Sequence, residues 1–493
     1  MALTSYNSVE EYRLACRKRF AEDAVLHERV IYYQQTKQHD IQHYIATCSQ
    51  CQRFTPLKIQ APEMCPIKVE VDLIDTEPQT GEKLVEGKTK EVYTATGEAG
   101  LVVVVNKDRI TAGDGVKAHN LEGKAAISNA TNTKVFTFLQ ESGIKTSWVK
   151  QTGSKTYLAR RCDMVPLEWV TRRVATGSFL RRHTGVPEGY RFTPPKLETF
   201  FKDDANHDPQ WSEEQVLSAG LEVGDVVVGR LEYDIMARTT LTVFEVLERA
   251  WASLDCALID MKIEFGIDVE TKEVLVSDTI DSDSWRLWPS GDKRLMKDKQ
   301  VYRNLETVTQ ESLNQVKRNF QWVADKLDYF IPKPQGQVVV LMGSPSDAPH
   351  CEKIRDHCTK LGVPCQLRVT SAHKGTEETL AIIAQYEGSG LPVVFIAVAG
   401  RSNGLGPVTC ANTCCPVINC PPLKPEDVSR DVWSSLSLPS GMGCGTVLYP
   451  EGAAQSAASF LALGDHVIWS KLRAKQLNLW VSLKLADKKM NAN

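Results

Sequence analysis

Short hydrophobic runs alternate with helical patterns over the last third of the chain. The runs are continuously apolar, which is typical of parallel strands that are buried on both faces. They cover Val338–Met342, Leu367–Val369, Val393–Val398 and Pro416–Ile418. A helix fits Glu377–Tyr386, and helical spacing returns near the end of the chain at Ile468, Leu472, Leu479 and Leu483. The pattern predicts an α/β domain with a doubly wound parallel sheet in three layers, of the flavodoxin or Rossmann-like type.

The middle of the chain has a less regular pattern. Leu84–Tyr93 predicts two strands joined by a tight glycine turn, and Leu101–Val105 predicts a third strand. Asn120–Glu141 predicts a helix that ends at Gly143. These elements favour a two-layer α+β domain.

Changes in composition mark the expected boundaries. The segment 331–336 holds two prolines without an apolar partner, which predicts a linker. The α+β domain is therefore expected over 76–330 and the α/β domain over 337–493. Residues 1–75 are polar and lack periodicity, so we expect a poorly ordered extension.

Composition excludes several classes of protein. The 493 residues include 58 Lys and Arg against 61 Asp and Glu, so the net charge of −3 offers no strong positive field for a nucleic-acid backbone. No apolar run reaches the ~18 residues of a membrane helix, and the N-terminal residues lack the pattern of a secretory signal. The 14 cysteines are therefore expected to be reduced thiols in a cytosolic protein.

Charged residues in the middle region suggest a phosphate and metal site. Lys88 and Lys90 flank the tip of the predicted hairpin, which is either a phosphate contact or a solvated turn. Lys262 and Glu264 alternate with apolar residues and so share one face of a strand. Asp278 follows at a spacing that fits a hairpin with both carboxylates together. Such a pair suits Mg²⁺, and a solvated acidic hairpin is an equal alternative.

Five motifs in order carry a family resemblance. They are GKTK (87–90), RRVATGSF (172–179), FKDDANHDP (201–209), DMKIEFG (260–266) and SDTIDSDSWRLWPSGD (277–292). Over about 80–330 the chain resembles the phosphoribosylaminoimidazole-succinocarboxamide (SAICAR) synthetases of de novo purine synthesis. The resemblance implies that ATP phosphorylates the carboxylate of the imidazole ribotide CAIR, and that the amine of L-aspartate then displaces the phosphate.

The resemblance also implies roles for individual residues. Glu264 and Asp278 would hold Mg²⁺ beside the catalytic Lys262. The residues implied for ATP binding are Gly87, Lys88, Lys90 and Met164. Those implied for CAIR or aspartate binding are Asp108, Arg172, Ser178, Lys202, Asp283 and Arg286.

Three polar loops follow predicted strands of the last region. GSPSD (343–347) and TSAHKG (370–375) each lie between a strand and a helix, and AVAGRSNGLGPV (397–408) is rich in glycine. In a doubly wound sheet such loops meet at one edge, where ligands bind. Helix-capping serines and a packed histidine are the alternatives.

These three motifs resemble the AIR carboxylase domain that is fused to SAICAR synthetase in animals. The resemblance implies direct carboxylation of aminoimidazole ribonucleotide (AIR) by CO₂ without a cofactor, with His373 as the proton shuttle beside Lys374. The residues implied for AIR and CO₂ are Gly343, Ser344, Ser346, Asp347, Ser371, Gly400, Arg401, Ser402 and Asn403. It further implies a homo-octamer that acts on small molecules, with no nucleic-acid or membrane partner.

The N-terminal residues leave another function open. Asp40–Arg53 resembles half of the zinc module of retroelement integrases, with Cys48 and Cys51 at ligand spacing. His27, His39 and His43 do not occupy the family's positions, so we favour a remnant over a zinc site. A nucleic-acid-binding fusion and a catalytically inactive scaffold are the competing hypotheses.

Overall fold

Two antiparallel sheets frame the first part of the structure. The computed structural model describes residues 80–112 and 116–491. The strands of this part are β1 (Thr80–Glu86), β2 (Lys90–Ala95), β3 (Glu98–Asn106), β4 (Arg109–Ala112), β5 (Lys117–Asn120), β6 (Trp148–Gln151), β7 (Thr156–Arg160), β8 (Cys162–Val174), β9 (Arg191–Phe201), β10 (Gln210–Trp211), β11 (Glu222–Val223), β12 (Val226–Val227), β13 (Cys256–Asp268), β14 (Val274–Ser277) and β15 (Trp285–Pro289). The helices are α1 (Lys124–Ser142), α2 (Ser178–Arg182), α3 (Glu213–Ser218), α4 (Arg230–Ala252), α5 (Gln300–Arg303) and α6 (Gln310–Lys326).

The strand order places the charged motifs between the two sheets. The first sheet runs β1-β2-β3-β7-β6, and the second runs β10-β9-β8-β13-β14 with β15 also paired to β13. Buried side chains of both sheets and of α1 and α4 share one hydrophobic core, which includes Trp169, Trp251 and Phe265. The α+β fold predicted for this part is confirmed.

The first long helix begins later than the sequence pattern suggested. The expectation was a start at Asn120, but Lys117–Asn120 pairs with Arg109–Ala112 as a hairpin. The carboxylate of Asp108 then accepts the N–H of Ala125 at 2.8 Å and so caps the helix that starts at Lys124. The predicted end is correct, because Gly143 adopts φ 96° at the C-cap.

A parallel sheet forms the second part. Its strands are β16 (Gln337–Met342), β17 (Cys365–Val369), β18 (Val393–Val398), β19 (Val417–Asn419) and β20 (Gly445–Thr446). Its helices are α7 (Ala348–Lys360), α8 (Thr376–Glu387), α9 (Leu405–Ala411), α10 (Val428–Asp431), α11 (Trp433–Leu436), α12 (Pro450–Leu461) and α13 (His466–Asn491). The order β17-β16-β18-β19-β20, all parallel, is the doubly wound arrangement.

Alternating side chains of the central strand enter two separate cores. Val338 and Val340 of β16 pack with α7 and α12, whereas Val339 and Leu341 pack with α8 and α9. Helices therefore cover both faces of the sheet, as the continuous hydrophobic runs predicted. The segment 331–336 between the two parts has no regular secondary structure.

The last helix connects the two parts. Ala474 and Leu477 of α13 are buried in the core of the first part. Arg473 donates to Glu245 of α4 at 2.7 Å, and Asn478 donates to the carbonyl of Gly143 at 2.8 Å. The helix thus belongs by sequence to the parallel-sheet domain and by packing to both domains.

The sequence predicted that the chain has no membrane helix and left open a zinc site in the N-terminal segment. Across the described ranges, no helix combines the length and the apolar character that a bilayer span requires. Cys48, Cys51 and the nearby histidines lie outside the described residues.

Candidate active sites

A large charged cleft lies between the two sheets of the first part. Its volume is about 1420 Å³. Eight of the predicted residues line it: Lys88, Lys90, Arg172, Ser178, Lys262, Asp278, Asp283 and Arg286. The motifs that are far apart in the sequence therefore converge on one cavity.

One end of the cleft contains a partly buried lysine, Lys90. Lys90 begins β2 and forms an ion pair with Asp278, which directly follows β14. Asp278 adopts a left-handed φ of 65°, a conformation uncommon for a residue other than glycine. Burial lowers the pKa of Lys90 to about 8. At the turn before it, Lys88 donates to the exposed Asp204 at 3.0 Å.

Glu264 is surrounded by ammonium groups. It lies on β13 opposite Ser277 of β14, as the predicted hairpin requires. Lys262 donates to it at 2.6 Å and Lys202 at 2.8 Å. Burial opposes ionisation, but the charges of Lys262, Lys202 and Lys90 outweigh it and lower the pKa of Glu264 to about 2. The carboxylate is therefore ionised throughout the physiological pH range.

The carboxylates fit a magnesium ion that is shared with a nucleotide. Among the described residues, no three His, Cys, Asp or Glu side chains cluster as a protein-only metal site. Asp278 forms an ion pair with Lys90, and the charge of Glu264 also acts on Lys90, so both carboxylates lie near this ammonium group. Mg²⁺ is commonly held by one or two carboxylates together with substrate phosphates. The donor set suits that arrangement.

Arginines in the cleft are fixed by buried carboxylates. Arg172 is 3% exposed and donates to Glu198 at 2.5 Å and to Asp260 at 2.8 Å. Arg286 donates to the same oxygen of Asp260 at 2.5 Å. The second guanidinium nitrogen of Arg172 reaches Ser178 Oγ at 3.4 Å. The arrangement gives an anion site with prearranged donors.

The remaining predicted residues of this part lie around the cleft. Lys202 and Glu264 do not line it, but both contact groups close to its wall. Asp108 uses one oxygen to cap α1 and the other to accept from Lys155 at 2.7 Å. Met164 is half-exposed on β8, opposite Gly266.

The three loops of the second part meet at one edge of the sheet. Gly343 donates its N–H to the carbonyl of Val398 at 2.9 Å, and Thr370 donates to the carbonyl of Met342 at 2.9 Å. Ser344 Oγ accepts from the N–H of Ser346 at 3.3 Å and from its hydroxyl at 2.8 Å. The loops that follow β16, β17 and β18 therefore form a continuous polar edge, as predicted.

The candidate proton shuttle packs against a glycine. His373 and Lys374 are exposed on the loop after β17. A Cβ added to Gly404 would lie 2.6 Å from His373 Nε2. The absence of a side chain at Gly404 therefore leaves room for the imidazole.

Hydrogen bonds of a buried side chain hold the loop after β18 in place. Arg401 and Ser402 are exposed, and Arg401 has a left-handed φ of 55°. Asn403 is buried, and its amide donates to Asn419 and to Ser435, each at 2.9 Å. Its side chain is thus occupied inside the domain, where it supports the exposed residues.

Four charged residues in or beside the cleft were not identified from the sequence. Lys124 and Lys299 each lie 3.3 Å from Asp283, and Glu198 and Asp260 hold the arginines. Nothing in the sequence pattern singled out Lys124, because the helix was expected to start at Asn120, whereas in the structure Lys124 is its first residue.

Comparison with known proteins assigns a different family to each of the two parts of the chain. Residues 83–319 match the SAICAR synthetase family and residues 337–480 match the AIR carboxylase family. A bifunctional phosphoribosylaminoimidazole carboxylase/phosphoribosylaminoimidazole succinocarboxamide synthetase of Drosophila melanogaster is 62% identical over 83% of this chain and 95% of its own length. The chain belongs to this bifunctional family. It therefore has AIR carboxylase and SAICAR synthetase activity in purine biosynthesis.

Further relatives were found among animal and bacterial proteins. The bifunctional enzyme of Homo sapiens is 58% identical over 83% of this chain and 97% of its own. A crystal structure of phosphoribosylaminoimidazole-succinocarboxamide synthase from Ehrlichia chaffeensis is 28% identical, covers 51% of this chain and 100% of its own, and has a TM-score of 0.45.

Proposed function

We propose that the cleft is the synthetase site and the sheet edge is the carboxylase site, and that they act in series on one ribotide. AIR gains CO₂ at the edge and gives CAIR, and CAIR gains aspartate in the cleft and gives SAICAR. The observation that carries the proposal is the pairing of Lys90 with Asp278 beside Glu264, because it concentrates the charges that a nucleotide with a divalent cation needs.

The nucleotide occupies the end of the cleft near β1 and β2. Lys88 and Lys90 bind the phosphates of ATP, with Gly87 in the turn and Met164 near the base. Glu264 and Asp278 hold Mg²⁺, which neutralises phosphate charge when it is bound. On binding of the nucleotide, the phosphates replace Asp278 as partners of Lys90.

The ribotide occupies the arginine end. Arg172, Ser178 and Arg286 bind its phosphate, with Asp283 beside the sugar or base, and Asp108 contributes a further polar contact. A carboxylate oxygen of CAIR attacks the γ-phosphorus of ATP and ADP leaves. The aspartate nitrogen then attacks the acyl carbon, the C–O bond to phosphate breaks as the amide bond forms, and the proton lost by the nitrogen leaves with the phosphate. Lys202 and Lys262 stabilise the negative charge, so catalysis consists of positioning and charge neutralisation.

The carboxylase site works through the three loops. Gly343, Ser344, Ser346 and Asp347 bind the ribose and phosphate of AIR, with Ser371 beside the base. The imidazole carbon attacks CO₂, which Gly400, Arg401 and Ser402 surround, and the buried Asn403 holds this loop in place through Asn419 and Ser435. His373 then removes the proton from that carbon, and Lys374 stabilises the new carboxylate. The step needs no cofactor.

The protein is a homo-octamer in the cytosol. Large apolar side chains of α13 are exposed, with Leu479 at 56% and Leu483 at 70%, which favours association of chains into the homo-octamer. All ten cysteines of the described ranges are free thiols, in keeping with a reducing cytosol.

A coupled assay tests the division of labour. The full chain receives AIR, bicarbonate, ATP, Mg²⁺ and aspartate, and CAIR and SAICAR are measured separately. His373→Ala should stop CAIR formation and leave conversion of CAIR to SAICAR intact. Glu264→Ala, or a chelator, should do the reverse. A folded variant that loses both reactions after either substitution would refute the two-site division.

A further inference from the structure

A buried lysine faces the synthetase cleft without an assigned role. Lys124 is the first residue of α1 and is 2% exposed. Its Nζ lies 3.3 Å from Asp283 Oδ2 and 4.0 Å from Asp281 Oδ2, and it donates to Ser128 Oγ at 3.3 Å. A buried ammonium is costly unless it is paired. Its place at the unfavourable end of a helix therefore depends on these carboxylates.

The two oxygens of Asp283 have different surroundings. Oδ2 receives Lys124 and also Lys299, each at 3.3 Å. Oδ1 is buried and has no hydrogen-bond partner among the residues that the structure describes. Asp283 lines the cleft. A buried acceptor without a partner costs free energy, so its presence beside a ligand cavity indicates that the ligand supplies the donor.

The ionisation of Asp283 depends on the same two lysines. Burial opposes its charge, but Lys124 and Lys299 outweigh burial and hold the pKa of Asp283 below its usual range. The neighbouring Asp281 shows the opposite result, because burial and the charge of Asp283 raise its pKa. Lys124 acts on Asp281 as well, but there burial and the charge of Asp283 outweigh it. The two lysines therefore keep Asp283, which lines the cleft, ionised.

We propose that Lys124 is a positioning residue of the synthetase, which together with Lys299 holds Asp283 by Oδ2 so that Oδ1 accepts a hydrogen bond from CAIR. The donor is a ribose hydroxyl or the ring amino group, the N–H and O–H groups that CAIR carries. The inference rests on the proposed function, because that proposal assigns CAIR to this cleft.

The first test is Lys124→Met in the full chain, which removes the charge and keeps the length of the side chain. The KM for CAIR should rise about tenfold, the loss expected for one charged hydrogen bond. The KM for ATP and the rate of CAIR formation from AIR should stay at the parent values. Lys134→Met is the matched control, because Lys134 lies on the same helix and pairs with the exposed Asp328. An unchanged KM for CAIR in Lys124→Met overturns the proposal.

A second variant separates positioning from charge balance. Lys124→Met combined with Asp281→Asn removes one cation and one carboxylate, so the buried charge stays balanced if the single variant fails to fold. The Asp281→Asn substitution keeps a side-chain oxygen for the N–H of Asp283, which Asp281 accepts at 2.8 Å. The KM for CAIR should remain raised about tenfold. Recovery of the parent KM would show that Lys124 only balances charge, and would overturn the proposal.

A third variant distinguishes this inference from the proposed ribotide site. Arg286→Ala should raise the KM for CAIR strongly. If it does so while Lys124→Met does not, the positioning role alone is wrong. If Arg286→Ala leaves the KM for CAIR unchanged, CAIR does not bind in this part of the cleft, and both proposals fail.

Discussion

Arg286 donates to Asp260 at 2.5 Å, and this bond sets the direction in which its guanidinium faces the synthetase cleft. Space for the group comes from Gly177, where an added Cβ would lie 2.5 Å from the guanidinium. The same carboxylate oxygen of Asp260 also holds Arg172 at 2.8 Å. A single buried side chain thus orients two arginines before any anion arrives.

Asp260→Asn should weaken both arginine contacts. We expect the KM for CAIR to rise about tenfold and the free energy of unfolding to fall by about 3 kcal/mol, because a buried ion pair loses one partner. Steady-state kinetics and urea unfolding measure these two effects. Asp225→Asn is the control, since Asp225 forms an exposed ion pair with Lys272. An Asp260→Asn enzyme with parent affinity for CAIR would contradict the orienting role.

Gly404→Ala should impair the carboxylase alone. The new methyl group would lie 2.6 Å from His373 Nε2 and must displace the imidazole. We expect CAIR formation to slow about a hundredfold, the scale of loss for a misplaced catalytic group, while SAICAR formation from added CAIR is unchanged. Gly443→Ala is the control, because no atom lies within 4 Å of its added Cβ. Equal rates for both variants would mean that the position of His373 is not critical.

Leu477→Ala should destabilise the synthetase part although Leu477 belongs to the last helix of the chain. The side chain is 6% exposed and lies in the core of the first part. Loss of a buried leucine costs about 2 kcal/mol or more. Heat inactivation of SAICAR synthesis should therefore begin at a lower temperature. Leu463→Ala, at an exposed position just before this helix, should leave the inactivation temperature unchanged.

Asp298 should give the stability a measurable pH dependence. It accepts the N–H groups of Leu287 and Gln300, and burial raises its pKa to about 6 from 3.8. The folded chain holds this proton more tightly than the unfolded chain. The stabilisation is therefore complete below about pH 4 and is lost as the pH rises through 6. The difference in Tm between the parent and Asp298→Asn should change over that window and stay constant above it. A constant difference from about pH 4 to 7 would exclude the effect.

Local patterns in the sequence were sufficient to predict the hairpin of β13 and β14 and the edge of the sheet where the polar loops meet. The alternation of Lys262, Ile263 and Glu264 predicts a strand with both charged side chains on the same face. The continuous hydrophobic runs predict buried parallel strands, whose following loops meet at one edge of the sheet. Such signals depend on neighbours in the sequence. They predicted that Glu264 and Asp278 would lie on adjacent strands of a hairpin. The hairpin of β13 and β14 is present, but Glu264 lies opposite Ser277, and Asp278 follows the end of β14 with a left-handed φ of 65°.

Partners from distant segments could not be predicted in the same way. Glu198, Asp260 and Lys124 are single charged residues in otherwise ordinary strands and helices, and their roles arise only when the sheets bring them to Arg172 or Asp283. Asn403 illustrates the same limit, because its motif suggested a substrate contact but its amide points inward to Asn419. The early strand at Lys117–Asn120 likewise depends on pairing with Arg109–Ala112.

The packing of the C-terminal helix α13 determines whether the two parts of the chain could be separated. Ala474 and Leu477 complete the interior of a domain that is encoded far upstream. Dividing the coding sequence at the proline-containing segment would therefore not yield two self-sufficient enzymes, because the upstream fragment would expose an apolar face that the downstream fragment normally covers. The fusion therefore makes the integrity of the upstream enzyme depend on the last stretch of chain to be synthesised.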